Sequence, residues 1–562
     1  MVEKQTKWAD PTLMQSEDIY TMSHMIKNPV LRGFNPDPSI LRVGDDYYIA
    51  TSTFEWFPGV QIHHSRDLVN WELITRPLNR VSQLDLRGIG ASQGIWAPCL
   101  TYDNGTFYLI YTVVNSFYVK MYDTPNYLVT ATDIRGEWSE PVYLNSYGFD
   151  PSLFHDEDGR KYIVSMVTDH RVTKRYRGHL VIQEYSAEEQ KMIGEPVTIY
   201  ASHDTYLEGP HIYKRGGYYY LFAADTGTGE GHGQSMLRSK ELLGPYEAYE
   251  GNSLMTSRDN PGLPLQKAGH GDLVETQNGE WYMVHLCGRP LENRTEKGER
   301  KYTLGRETAL QKVEWTEDGW LRLANGSVLP DSEVEAPDLP PYPFTAKPAR
   351  DDFDGAELDI SFQSLRVPLD ASFYSLSERP GYLRLYGREG LGSKFRQSLI
   401  ARRWEEHRFT AAAALEFEPS SFKQMAGLIL IYDTQNYYYL HVTHHEDLGR
   451  CISILSAVNN SYSEPAGYVP LPDNAKQVLL RAEVDYDKLQ FSYSVNGEEE
   501  YVNFGPVLDA STLSDEACQE GWFTGSFAGI CCQDLTGFRQ PADFDYFEYY
   551  NREQAGSAND HE

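Results

Sequence analysis

Long apolar runs are missing from this chain. In its 562 residues no stretch reaches the ~18 apolar residues of a membrane span, and the opening Met1-Val2-Glu3-Lys4-Gln5-Thr6-Lys7 lacks a leader-type apolar core, so a cytoplasmic protein with no membrane partner is expected. Basic charge is scarce: 50 Lys and Arg face 81 Asp and Glu, and the formal net charge of -31 repels phosphate backbones, so no nucleic acid is expected as a partner and neutral ligands fit better. Cysteine is sparse too. The six thiols (Cys99, Cys287, Cys451, Cys518, Cys531 and Cys532) have neither zinc-ribbon spacing nor the density of a disulfide framework, which reads as reduced, structural cysteine. What the chain has in quantity is 40 Tyr, 23 Phe and 10 Trp beside 45 Gly and 30 Pro, the composition of short strands and tight turns. The class is all-β, and the length calls for two large domains.

One unit recurs five times: an opening residue, an apolar strand, a turn and an aromatic-rich return strand. The openings are Asp37-Pro38-Ser39-Ile40, Trp96-Ala97-Pro98-Cys99, Asp150-Pro151-Ser152-Leu153, Glu208-Gly209-Pro210-His211 and His270-Gly271-Asp272-Leu273, separated by 59, 54, 58 and 62 positions. Outer-strand echoes such as Asp67-Leu68-Val69-Asn70-Trp71 and Asp133-Ile134-Arg135-Gly136-Glu137-Trp138 lie between them. A period of this length with about four strands per unit is the signature of propeller blades, so the chain reads as a five-bladed β-propeller over 27–330. The innermost strands of a propeller line its axis, so Asp37, Trp96, Asp150, Glu208 and His270 are expected to converge. Residues 1–26 read as an extension, and the proline-rich 331–350 as a linker. Short strand-like runs over 351–550, including a less typical alanine run at 411–414, read as a β-sandwich, and 551–562 as a tail.

Singly, an Asp before Pro-Ser is a strand-opening residue whose oxygens accept local N–H groups. Three acids at one axis repel each other and require a reason. A pair of carboxyls flanking a glycosidic bond supplies it, one protonating the leaving oxygen and the other activating water or attacking the anomeric carbon. Glu208 has the longest reach and small, rigid neighbours, which suits the general acid. Asp37, held between prolines, suits the general base. Asp150 is expected to raise the pKa of Glu208 by like charge and to orient it.

These motifs, with Asn28-Pro29-Val30, Ser52-Thr53-Phe54-Glu55-Trp56-Phe57-Pro58-Gly59-Val60, Pro264-Leu265-Gln266-Lys267-Ala268-Gly269-His270 and Leu304-Gly305-Arg306-Glu307-Thr308, give a chain that resembles the two-domain β-xylosidases of glycoside hydrolase family 43 from Asn28 to Tyr549. The resemblance implies a propeller followed by a concanavalin or jelly-roll-like sandwich, and inversion with Asp37 as base, Asp150 as modulator and Glu208 as acid. It carries the family's substrate-binding arginine onto Arg306, where a guanidinium beside the base can also donate to vicinal sugar hydroxyls. Phe54 and Trp96 beside the axis are expected as sugar platforms. A sandwich aromatic is expected to close the site, either Phe523 or Phe527. Related propellers hold a hydrated calcium near the histidine matching His270; here Gly271-Asp272 replaces Ala-Ser, and the extra carboxylate of Asp272 suggests a further ligand, direct or through water, to a divalent cation. No organic cofactor is expected, and relatives are commonly dimers or tetramers, so a homo-oligomer is expected.

The activity implied is release of xylose from the non-reducing end of β-1,4-xylooligosaccharides, with α-L-arabinofuranosidase side activity. The alternatives are an enzyme acting mainly on arabinofuranosides and a non-catalytic carbohydrate-binding propeller. The second of these has no need of all three acids.

Overall fold

The computed structural model describes residues 25–117, 121–171, 178–202, 205–497, 500–537 and 539–552, so the expected N-terminal extension and C-terminal tail lie almost wholly outside the described residues. Each repeat closes on a tight turn that needs a left-handed residue, as at Gly44 (φ 64°) and Gly105 (φ 82°). The strands so paired build five antiparallel sheets. The first contains Ser39–Val43, Asp46–Thr51, Gln61–Ser65 and Glu72–Thr75; the fifth contains Gln266–Glu275, Trp281–Gly288, Glu307–Trp315 and Leu321–Leu323. Three equivalent sheets opened by Gly94–Asp103, Phe149–His155 and Leu207–Arg215 lie between them, completing the five blades.

A blade ring must be sealed where its first and last blades meet. Here Met25–Lys27 pairs antiparallel with Glu333–Glu335, Ile26 opposite Val334, and both side chains are buried with Ile40 and Ile49 of the first blade and Val284 and Leu310 of the fifth. Strand therefore begins inside the expected extension and reappears inside the expected linker. Proline content excludes a central strand, but an outer two-stranded pair needs none.

Asp272 completes the seam from inside. Its Oδ2 accepts from Ser39 Oγ at 3.0 Å and from the Ile40 N–H at 2.9 Å, and its Oδ1 from the Leu273 N–H at 2.9 Å and from the Tyr213 hydroxyl. The carboxylate thus ties the fifth blade to the first and fourth, and its acceptor positions are taken by protein donors. The expectation of Asp272 as a direct metal ligand is corrected: those donors come from Ser39 and Tyr213, distant in sequence.

The C-terminal domain stacks two large antiparallel sheets, one centred on Arg408–Glu416 and Pro541–Asn551, the other on Gln424–Asp433, Asn436–His445 and Phe527–Asp534. The alanine run lies in the strand Arg408–Glu416 with Ala411 and Ala413 in the core, because burial between sheets overrides helix propensity. The second sheet does not stop at the domain boundary. Propeller residues Trp56 and Phe57 pair with Leu365 and Ser364 and form its edge strand.

Asp272→Asn places an amide N–H₂ against backbone N–H groups that cannot reorient. It is expected to cost about 2–4 kcal/mol, read as a lower midpoint in denaturant unfolding, with Ser39→Ala costing less.

Candidate active site

The inner strands carry the site through a shared irregularity. Asp37, Ala97, Asp150, Gly209 and His270 all have left-handed backbones, with φ of 54°, 31°, 50°, 54° and 53°. In the second to fifth blades a register shift follows or spans this residue. A bulge of this kind re-aims side chains at a sheet end. The equivalent positions are therefore Asp37, Ala97, Asp150, Gly209 and His270, and Trp96 and Glu208 stand one residue earlier than the expected alignment placed them. At Gly209 the fold demands glycine: a Cβ would lie 2.7 Å from the His270 ring.

Asp37 is almost fully buried, and each of its oxygens accepts one hydrogen bond. Its Oδ1 accepts from Arg306 Nη1 at 2.5 Å and its Oδ2 from Ser52 Oγ at 2.7 Å, while Ser52 Oγ accepts the Ala97 N–H at 2.7 Å. Arg306 also donates from Nη2 to the Phe523 carbonyl at 2.9 Å and from Nη1 to Thr228 Oγ1 at 3.3 Å, and lies over the Phe54 and Phe523 rings. One guanidinium thus binds the first blade, a loop within the fourth, and the sandwich.

Asp150 accepts the Gly209 N–H at 3.1 Å, which fixes the peptide next to Glu208. Burial holds its carboxyl well above the usual range, with the charges of Glu208 and Asp37 adding to the effect. Burial also pushes Glu208 up to about 7, Asp37 adding and Arg306 opposing. Burial leads for both, and like charge adds to it: Asp150 and Glu208 repel each other, as expected, with Asp37 acting on both. Glu208 is also the most exposed of the three acids.

The aromatic wall comes from both domains. Phe523 lies 5.5 Å from Trp96, 6.4 Å from Phe54 and 5.7 Å from Phe117 between ring centroids, and is only partly buried. Phe527 is wholly buried, stacked on Trp56 at 3.7 Å and edge-on to Phe34. Of the two sandwich candidates the structure brings Phe523 to the site and assigns Phe527 to the interdomain core.

Sequence reasoning missed Ser52 and Ser92. Ser92 (φ 56°) accepts the Phe523 N–H on its hydroxyl at 3.1 Å and the Trp96 indole N–H on its carbonyl at 3.0 Å, while its own N–H meets the buried Glu55 carboxylate at 3.2 Å. Serine carries no spacing signal, so only the fold could reveal this node. His270 packs on Gly209, and burial lowers its pKa to about 4, leaving a neutral imidazole. Among the described residues no group of three His, Cys, Asp or Glu side chains is placed to hold a metal ion.

Residues 26–321 match the model of glycosyl hydrolases family 43, and 350–550 the β-xylosidase C-terminal concanavalin A-like domain. The chain belongs to glycosyl hydrolase family 43. It is 48% identical to a protein of Bacillus subtilis (strain 168) named beta-xylosidase, covering 93% of this chain and 99% of that one. It is 46% identical to a xylan 1,3-beta-xylosidase of a Vibrio species, covering 94% and 99%. The crystal structure of a xylan beta-1,4-xylosidase from Bacillus halodurans C-125 superposes with a TM-score of 0.91 at 51% identity, over 94% of this chain and all of that one.

Folding raises the Glu208 pKa, so ionising it costs stability that is lost as pH rises from the ordinary carboxylate value through about 7. Glu208→Gln removes that cost. The variant is expected to be more stable than the parent at pH 8 by on the order of 1–3 kcal/mol, with the difference shrinking at pH 5, in thermal unfolding at the two pH values.

Proposed function

We propose that the chain is an inverting exo-β-xylosidase that removes the terminal xylose of xylooligosaccharides, with Glu208 as general acid, Asp37 as general base and Asp150 as the residue that holds Glu208 in place. The single observation that carries this reading is the unequal electrostatic setting of three acids at one end of the propeller axis: Asp37 is paired to Arg306, whereas Glu208 is raised to about 7. A group that keeps its proton near neutrality can deliver it to a leaving oxygen, and a carboxylate held by a cation can take one from water. The names of the similar proteins support xylose as the sugar.

Each Asp37 oxygen uses one acceptor position on Arg306 or Ser52 and keeps another for water. In the displacement, water loses a proton to Asp37 and bonds to the anomeric carbon while the glycosidic bond breaks and its oxygen takes the proton of Glu208. Phe523, Trp96 and Phe54 close around the terminal sugar, and a closed pocket favours exo action. For the divalent cation, the donor set supports one protein contact, the neutral imidazole of His270, so an ion there would be held mainly through its own water. Exhaustive chelation without loss of kcat/KM overturns that part.

Glu208→Ala should slow xylobiose by ~10³-fold or more while sparing aryl xylosides with good leaving groups, whereas Asp37→Ala should slow both alike. Equal losses in both variants overturn the roles. With the parent enzyme, kcat/KM should fall as pH rises through about 7, where Glu208 loses its proton, and NMR of the first product should show α-xylose. Running β-1,4- and β-1,3-linked xylobiose and an arabinofuranoside side by side fixes the linkage and sugar preference.

A further inference from the structure

Behind the active site, between propeller and sandwich, lies a cavity of about 1010 Å³ whose lining includes Gln61, His63, Arg76 and Arg403. Gln61 and His63 share one face of the third strand of the first blade, Arg76 follows the fourth strand, and Arg403 ends the sandwich strand Ser398–Arg403. All four are at least nine-tenths buried, with His63 at 8% exposure and Arg76 and Arg403 at 6%. Neither arginine makes an ion pair with a carboxylate among the described residues. Their contacts are neutral acceptors: Arg76 donates to Gln61 Oε1 at 2.5 and 3.2 Å and to the Phe362 carbonyl at 3.2 Å, and Arg403 to the Phe34 carbonyl at 2.6 Å and to Gln363 Oε1.

Two buried guanidiniums that feel each other's charge require compensation, since an unpaired buried ion costs several kcal/mol. Two nitrogens at this cluster, Arg403 Nη2 and His63 Nδ1, are buried with no hydrogen-bond partner among the described residues, and the second is a donor in the tautomer protonated there. Arg403 and Arg76 both act on His63, whose pKa falls to about 3 with burial, so the ring stays neutral and adds a donor without adding charge. The same lining carries acidic side chains, among them Asp359, whose charge acts on Arg76, and Glu405, whose charge acts on Arg403, which disfavours a multiply charged guest.

We propose that the inner end of this cavity binds a small monovalent inorganic anion of the chloride type, held by Arg403 and His63 with Arg76 beside them. The anion neutralises the interdomain cations and accepts the two free N–H groups. The site also braces the base: Arg403 holds the Phe34 carbonyl, and Gln61, fixed by Arg76, donates to Asn35 Oδ1 at 2.7 Å, two residues before Asp37.

The full-length protein crystallised in bromide, with diffraction collected at the bromine edge, tests this. An anomalous peak touching Arg403 Nη2 and His63 Nδ1 is expected; ordered water there at saturating bromide overturns the proposal. In solution, chloride-35 NMR should show excess line broadening that bromide competes away. The broadening should be lost in Arg403→Met and weakened at least tenfold in affinity in His63→Phe, which keeps a ring and removes the donor. Broadening that is absent in the parent, or unchanged in His63→Phe, overturns it as well.

Discussion

The pair between Arg306 and Asp37 is the interaction on which the rest of the site depends. Three carboxyl groups meet at one end of the axis, and the one guanidinium that pairs with them among the described residues is given to Asp37. A buried ion pair is most tolerable when the remaining donors are also satisfied, and Arg306 places Nη1 and Nη2 on Thr228 and the Phe523 carbonyl while its Nε is buried without a partner among the described residues. Asp150 and Glu208, which form no ion pair among the described residues, are raised, chiefly by burial. The position of one arginine therefore separates base from acid without any difference in the intrinsic chemistry of the carboxyls.

Convergence of these groups comes from the backbone. Left-handed geometry in a non-glycine residue costs on the order of 1 kcal/mol or more and persists only where the surroundings enforce it. In this propeller it recurs at the same place in all five inner strands. The proline after four of these residues fixes the following φ, and the bulge then turns the inner residues toward the axis. Where the left-handed residue is acidic, as at Asp37 and Asp150, it is itself part of the site. Where it is small, as at Ala97 and Gly209, the preceding Trp96 or Glu208 supplies the side chain.

That difference explains what was legible in the sequence. The repeat and the blade count could be read because hairpins are local and their turn residues recur. Aligning the repeats on chemically interesting residues misplaced the second and fourth blades by one position; the prolines at 38, 98, 151 and 210 mark the backbone register. The three acids were legible as a set because they share that framework. Phe523 and Phe527 were not separable, since both are aromatic and only burial tells them apart. Asp272 read as a metal ligand because its donors, Ser39 and Tyr213, come from other blades, Ser39 only through ring closure. The shared sheet was invisible for the same reason, as Phe57 and Ser364 meet across some three hundred residues.

Domain docking is then part of the catalytic geometry rather than an addition to it. Glu307, the residue after Arg306, accepts the Gly33 N–H at 2.7 Å and pairs with Arg289, which also binds Glu406 of the sandwich at 2.7 Å. The segment from Gly33 to Asp37 and the pair Arg306-Glu307 are thereby held by the same interdomain network. Trp56 and Phe57 extend the sandwich sheet directly after Phe54, and Ser92 binds both Phe523 and Trp96. A sandwich shifted by a fraction of an ångström would move the cation, the aromatic wall and the approach to the base together. A propeller deprived of it would keep its three acids, but Arg306 would lose its Phe523 acceptor and the surroundings that set it against Asp37.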